Sequence, residues 1–158
     1  MSREILFKAK RANWRELPKE EWWVEGNLVW TNDAFEEYKA IIIPKENSVM
    51  FTKSENDDLG FENWYLVDPE TICQYTGLDD KDRRKIFEGD ILGIEAENLS
   101  KEDGCFVVEW SEPSSCFVAC GKSYLAHFDN VYEDCREVIG NIFDNPELLK
   151  AGQQSKSP

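Results

Sequence analysis

The hydrophobic positions of this chain fall in short runs that alternate with a period of two, separated by glycine, proline and acidic punctuation, and this pattern predicts strands. Ile5-Leu6-Phe7-Lys8-Ala9 opens the series, with Ile5, Phe7 and Ala9 on one face. Glu21-Trp22-Trp23-Val24-Glu25 and Leu28-Val29-Trp30 flank Gly26-Asn27, which predicts a hairpin turning at that dipeptide. Adjacent strand residues face opposite ways, so Trp22 and Val24 share one side and Trp23 takes the other, as a surface residue suited to an oligomer or partner contact. Residues 33–40 read as a short helical turn, Ile41-Ile42-Ile43 as a buried strand ending at Pro44, and Lys53 to Gly60 as a polar loop. Trp64 to Val67 and Ile72 to Tyr75 return to strand patterning.

The second half is more regular. Ile91 to Ile94, Cys105 to Trp110, Cys116 to Cys120 and Arg136 to Phe143 are four strand candidates. Short strands at this spacing predict a small barrel or sandwich rather than a parallel sheet. Asn145-Pro146-Glu147 is a helix start: Asn145 to cap, Pro146 for the first turn, Glu147 at the positive end of the dipole. The expected fold is mainly β: an N-terminal β subdomain over residues 1–75, an SH3-like small barrel over 76–149, a short C-terminal helical turn and a disordered tail over 150–158.

Composition narrows the possibilities. The chain has 158 residues, 41% of them hydrophobic and 13% aromatic, enough for a packed core despite a mean hydropathy of −0.57. No run approaches the roughly 20 apolar residues of a membrane span, and charge follows the first methionine at once, so neither a membrane segment nor a secretory signal is expected and the chain reads as cytoplasmic. The net charge is −14, unevenly spread. Residues 1–19 hold six basic side chains against two acids, and the remainder holds 12 basic against 30 acidic. So acidic a field repels phosphate backbones.

Two dense motifs bracket the second half. The first runs from Gln74-Tyr75-Thr76-Gly77-Leu78 to Ile86-Phe87-Glu88-Gly89-Asp90-Ile91. Gly77 and Gly89 fit positive-φ positions, and Asp90 is placed to bond nearby backbone N–H groups and fix a turn, a corner that suits the start of a small SH3-like barrel. Glu88 and Asp90 lack a partner base, so an architectural role is favoured over a catalytic acid pair. Between the corners lies Asp79-Asp80-Lys81-Asp82-Arg83-Arg84-Lys85. Its cluster Arg83, Arg84 and Lys85 is a candidate site for a phosphate or an acidic partner, weighed against a merely solvated loop. In the second motif, Glu137 to Leu149, Val138, Gly140 and Ile142 are expected on one strand face and Ile139, Asn141 and Phe143 on the other. Asn141 there is expected to hold a loop.

These two motifs resemble the YopX-like family of small proteins encoded in bacteriophages and prophages. Arg3 to Phe7, Lys10-Arg11, Trp22 to Gly26 and Asp68-Pro69-Glu70-Thr71 extend the resemblance across residues 3–149, with a variable stretch at 31–63. The family pattern carries an Asn-Gly turn where this chain has Asp82-Arg83, which predicts a wider or more helical loop here. The resemblance implies a mainly β fold, a phage or prophage origin and a bacterial host cytoplasm, and it brings no catalytic residues to carry over.

Direct search for chemistry yields little. The chain contains no P-loop, nucleophile elbow, His-Glu-x-x-His or dinucleotide fingerprint. Its single histidine, His127, lies among aromatics and reads as a packed strand residue, with a nucleophile–base dyad to a cysteine as the sharper alternative. Five cysteines at irregular spacing read as free thiols rather than as a zinc site built on Cys116 and Cys120. No metal, cofactor or enzymatic activity is expected. The leading expectation is an accessory protein that binds a host or phage protein, or itself, through Trp23 or through Arg83, Arg84 and Lys85. A nucleic-acid role is the alternative, either direct contact through Lys8 to Lys19 and Arg83 to Lys85 or an acidic decoy for a DNA-binding protein.

Overall fold

The computed structural model describes residues 3–32, 38–46, 50–53, 58–94, 104–128 and 133–151. The protein is mainly β, built from antiparallel strands with one short helix at its C-terminal end, and it divides into two compact units, Met1–Gln74 and Tyr75–Pro158. The disordered tail expected from residue 150 falls beyond the described residues from 152 onward, while Lys150 and Ala151 belong to the helix.

In the first unit β1 (Phe7–Lys10), β2 (Trp23–Asn32), β3 (Tyr38–Pro44), β4 (Met50–Lys53), β5 (Asp58–Phe61) and β6 (Tyr65–Val67) follow one another. β6, β3, β2 and β1 form one antiparallel sheet in that order, and β4 pairs with β5 separately. The unit's last residues open β7 (Cys73–Asp79), and Cys73 and Gln74 pair with Lys8 and Phe7. The sheet's inner face carries Ala9, Val24, Ala40, Ile42 and Val67, with Phe7, Leu28, Tyr65 and Ile72 packed around them.

Several local expectations are corrected here. Gly26-Asn27 is not a turn: β2 runs straight through it, pairing Gly26 with Pro44 and Asn32 with Tyr38. Gly26 is instead a close-approach glycine, since a Cβ there would overlap the carbonyl oxygen of Ile43. Residues 38–40 of the expected helical turn are strand, and 33–37 lie outside the described residues. Of the loop expected over Lys53 to Gly60, Lys53 belongs to β4 and Asp58 to Gly60 to β5, which pair with each other, and 54–57 lie outside the described residues. Ile5 lies before β1 and is 64% exposed, while its neighbour Leu6 is buried.

In the second unit the rest of β7 pairs with β8 (Lys85–Phe87). β9 (Asp90–Ile94), β10 (Cys105–Ser111), β11 (Cys116–Cys120), β12 (Leu125–His127) and β13 (Arg136–Asn141) form a five-stranded antiparallel sheet in the order β12-β11-β10-β9-β13. Its core gathers Ile86, Leu92, Ile94, Phe106, Val108, Phe117, Ala119 and Ala126, with Val138 and Phe128 against them. All four strand candidates of the sequence are present. Alternation fails in the last one, because a bulge at Ile139 lets Val138 oppose Leu92 while Gly140 opposes Ile91. The strand ends at Asn141, and α1 (Glu147–Ala151) follows.

The corners behave as their residue types require. Gly77 and Gly89 adopt φ of 87° and 78°. The Asp90 carboxylate accepts from Phe87 N–H at 2.8 Å and fixes the turn into β9. Asn141 holds the turn after β13, its side-chain oxygen accepting from Phe143 and Asp144 N–H groups at 3.0 and 2.9 Å. No helix among the described residues is long and apolar enough to cross a membrane.

Candidate functional site

Of the basic cluster, Arg83 and Arg84 sit on the loop joining β7 to β8 and Lys85 begins β8, and a buried carboxylate organises that loop. Asp79 pairs with Lys85, the Asp80 N–H donates to the Arg84 carbonyl at 2.8 Å, and the Arg83 N–H donates back to the Asp80 carbonyl at 2.9 Å. The loop is therefore wider than a two-residue turn, and Arg83 takes the left-handed conformation at φ 61°. Asp80 Oδ1 accepts from Asp82 and Arg84 N–H groups, both at 2.9 Å. Its Oδ2 accepts from Val138 N–H on β13 and from Arg84 Nε, both at 3.0 Å. Burial alone would raise the Asp80 pKa, but the three backbone donors and the guanidinium together hold it below the ordinary carboxylate value.

Arg84 is thus committed. Its outer nitrogen lies 3.2 Å from Asp82 and 3.4 Å from Glu137, and Lys81 meets Glu137 at 2.8 Å. Lys85 lies over the Tyr75 ring at 6.0 Å from its centroid. The candidate residues Arg83, Arg84 and Lys85 stay together, but the carboxylates of Asp80, Asp82 and Glu137 cancel much of the charge that a phosphate would need.

Trp23, the candidate surface aromatic, projects from the outer face of the first unit's sheet as its register requires. It is half-buried, with the Lys8 ammonium 5.2 Å and the Lys10 ammonium 5.5 Å from its ring centroid. Lys10 is the unexpected residue at this end. It is only 2% exposed, and its ammonium lies 4.0 Å from the Trp14 centroid and 4.4 Å from that of Trp22. Those two rings meet edge to face at 4.8 Å and are set there by short 3-10 turns at Trp14–Glu16 and Lys19–Glu21. Neither Trp22 nor Trp23 enters the inner core; both serve to enclose a lysine. Arg15 and Lys19 stack on the same two rings, and Arg11 reaches Glu21 at 3.6 Å, so the basic N-terminal residues are drawn into local contacts.

The face that Trp23 shares also carries Glu25 and Asn27 and, further along β2, a short apolar row. Val29, Ile41 and Leu66 are direct cross-strand neighbours on β2, β3 and β6. Val29 and Leu66 are each 39% exposed. The same unit also exposes Trp30 and Trp64. The sequence reads Ile41-Ile42-Ile43 as a buried strand; Ile42 and Ile43 are buried, and Ile41 is the half-buried member that joins this row. The usable signal was the unbroken apolar run itself, which must put its odd members on the opposite face from Ile42.

The described residues hold no group of three His, Cys, Asp or Glu side chains placed to bind a metal ion. All five cysteines are free thiols.

A family model described as YopX protein matches residues 14–150 of this chain. Among solved structures the chain is similar to protein EF1440 from Enterococcus faecalis, with 25% identity and a TM-score of 0.58 over 94% of this chain and 99% of that one. No curated protein matches the chain.

Proposed function

The chain belongs to the YopX protein family, and on that footing we propose that it is a phage or prophage accessory protein acting in the host cytoplasm as a non-enzymatic module that binds another protein. The observation that carries this reading is the row Val29–Ile41–Leu66, in which two exposed aliphatic side chains flank a half-buried one on the outer face of the sheet. In the same reading the second unit is a small SH3-like barrel. Its five short antiparallel strands and the bulge at Ile139, which allows β13 to coil, support that description.

The alternative nucleic-acid role finds less support, since Arg84 is spent on Asp80, Asp82 and Glu137 and the chain carries −14 overall. The test is affinity capture of tagged protein from host lysate with nuclease treatment, run beside a Val29→Lys/Leu66→Lys variant, with light scattering to detect self-association. A protein partner or a second copy that survives nuclease and is lost in the variant supports the proposal. Partners that vanish with nuclease, or that bind the variant equally, overturn it.

A further inference from the structure

The chain has one histidine and five cysteines, and the fold places that histidine beside one of them. On the five-stranded sheet Val118 of β11 stands opposite His127 of β12 on one side and Glu109 of β10 on the other. Directly opposed residues share a face. Glu109, Val118 and His127 therefore form a cross-strand row on the face away from Phe106, Val108 and Ala119. Cys116, two residues before Val118, projects from that same face, and its Sγ lies 3.8 Å from His127 Nδ1. Both side chains are partly exposed, so reagents in solution can reach them.

The other thiols stand differently. Cys73 is buried, with its S–H donating to the Thr71 carbonyl at 3.3 Å. The Cys135 S–H points at Asp134 Oδ1, 3.8 Å away. Burial pushes the Cys120 thiol pKa up, and the charge and hydrogen bond of Glu109 add to the shift. Cys105 is partly exposed and, like the rest, has no imidazole beside it.

We propose that Cys116 and His127 form a thiol–base pair that makes Cys116 the chain's site of mixed-disulfide formation with small disulfides. His127 Nδ1 takes the S–H proton, and the resulting thiolate attacks one sulfur of the small disulfide RS–SR. The Cys116 S–SR bond forms as the original S–S bond breaks. The departing RS⁻ takes the proton from the imidazolium and leaves as RSH. Cys116 is oxidised, half of the small disulfide is reduced, and no further oxidant is consumed. Glu109 in the row and Glu112 in the preceding turn make a cationic disulfide a better substrate than an anionic one.

The experiment treats the full chain with cystamine, quenches with acid at intervals and reads occupancy at each cysteine by peptide mass spectrometry. Cys116 is expected to react first, at least about tenfold faster than Cys105, and His127→Ala is expected to remove at least about tenfold of that rate while Cys105 in the same sample is unchanged. New reactivity at buried Cys73 would reveal unfolding of His127→Ala, in which case His127→Gln carries the comparison. Cys116 reacting no faster than Cys105, or equally fast without the imidazole, overturns the proposal.

Discussion

Asp80 shows how much one side chain can decide. It accepts four hydrogen bonds while fully buried, joining the β7–β8 loop to β13, and a buried carboxylate left without such donors would not remain ionised. Its folded pKa lies below the ordinary carboxylate value, so its contribution is fully present above the unfolded Asp value of about 4 and is lost as pH falls through the lower folded value. Stability of the wild type to urea should therefore fall on acidification below about pH 4, and Asp80→Asn should be less stable at pH 7 by about 2–3 kcal/mol with a flatter acid limb. An unchanged denaturation midpoint in Asp80→Asn would refute this account. Nothing in the string Asp79-Asp80 marks the second aspartate as the buried one. Gly77, Gly89 and Asp90, by contrast, were legible, because a glycine beside a capping acid has few conformations to choose from.

At the scale of the element, two strand pairings carry their own tests. β2 and β3 run together without interruption because Gly26 offers no Cβ to the Ile43 carbonyl. Gly26→Ala should cost more than about 3 kcal/mol, read from thermal or urea unfolding, since the clash is with backbone and cannot be relieved by a rotamer change. In the β7–β8 loop Arg83 holds φ 61° with an exposed side chain, a conformation costing an L-residue roughly 1–2 kcal/mol. Arg83→Gly should therefore raise stability by about 0.5–1 kcal/mol, and a loss of stability would mean that the guanidinium has a role the geometry does not account for. The strands themselves were largely legible, since period-two alternation survives wherever one face is buried. The Gly26-Asn27 turn was misjudged for a physical reason: the same dipeptide serves a hairpin turn or a close strand approach, and only the neighbouring strand distinguishes them. The bulge at Ile139 was equally hidden, because nothing in Val138-Ile139-Gly140-Asn141-Ile142 marks which residue is the extra one.

At the scale of the whole molecule, charge and apolar surface both bear on the proposed partner. The overall −14 disfavours polyanions, while the Val29–Ile41–Leu66 row favours a protein surface. Val29→Lys/Leu66→Lys should leave the unfolding free energy within about 1 kcal/mol of wild type, because exposed substitutions perturb folding little, yet abolish partner capture or self-association. The sequence by itself determined the mainly β class, the family, the glycine corners and the acid charge, since each depends on local periodicity or on residue identity. Tertiary structure alone decided which charges survive: Arg84 is neutralised by Asp80, Asp82 and Glu137, and Lys10 is enclosed by Trp14, Trp22 and Trp23. It also decided that His127 meets Cys116 rather than another thiol. Those outcomes rest on strand register and loop closure between distant residues, and a one-residue slip, which no local pattern forbids, would turn each side chain to the opposite face.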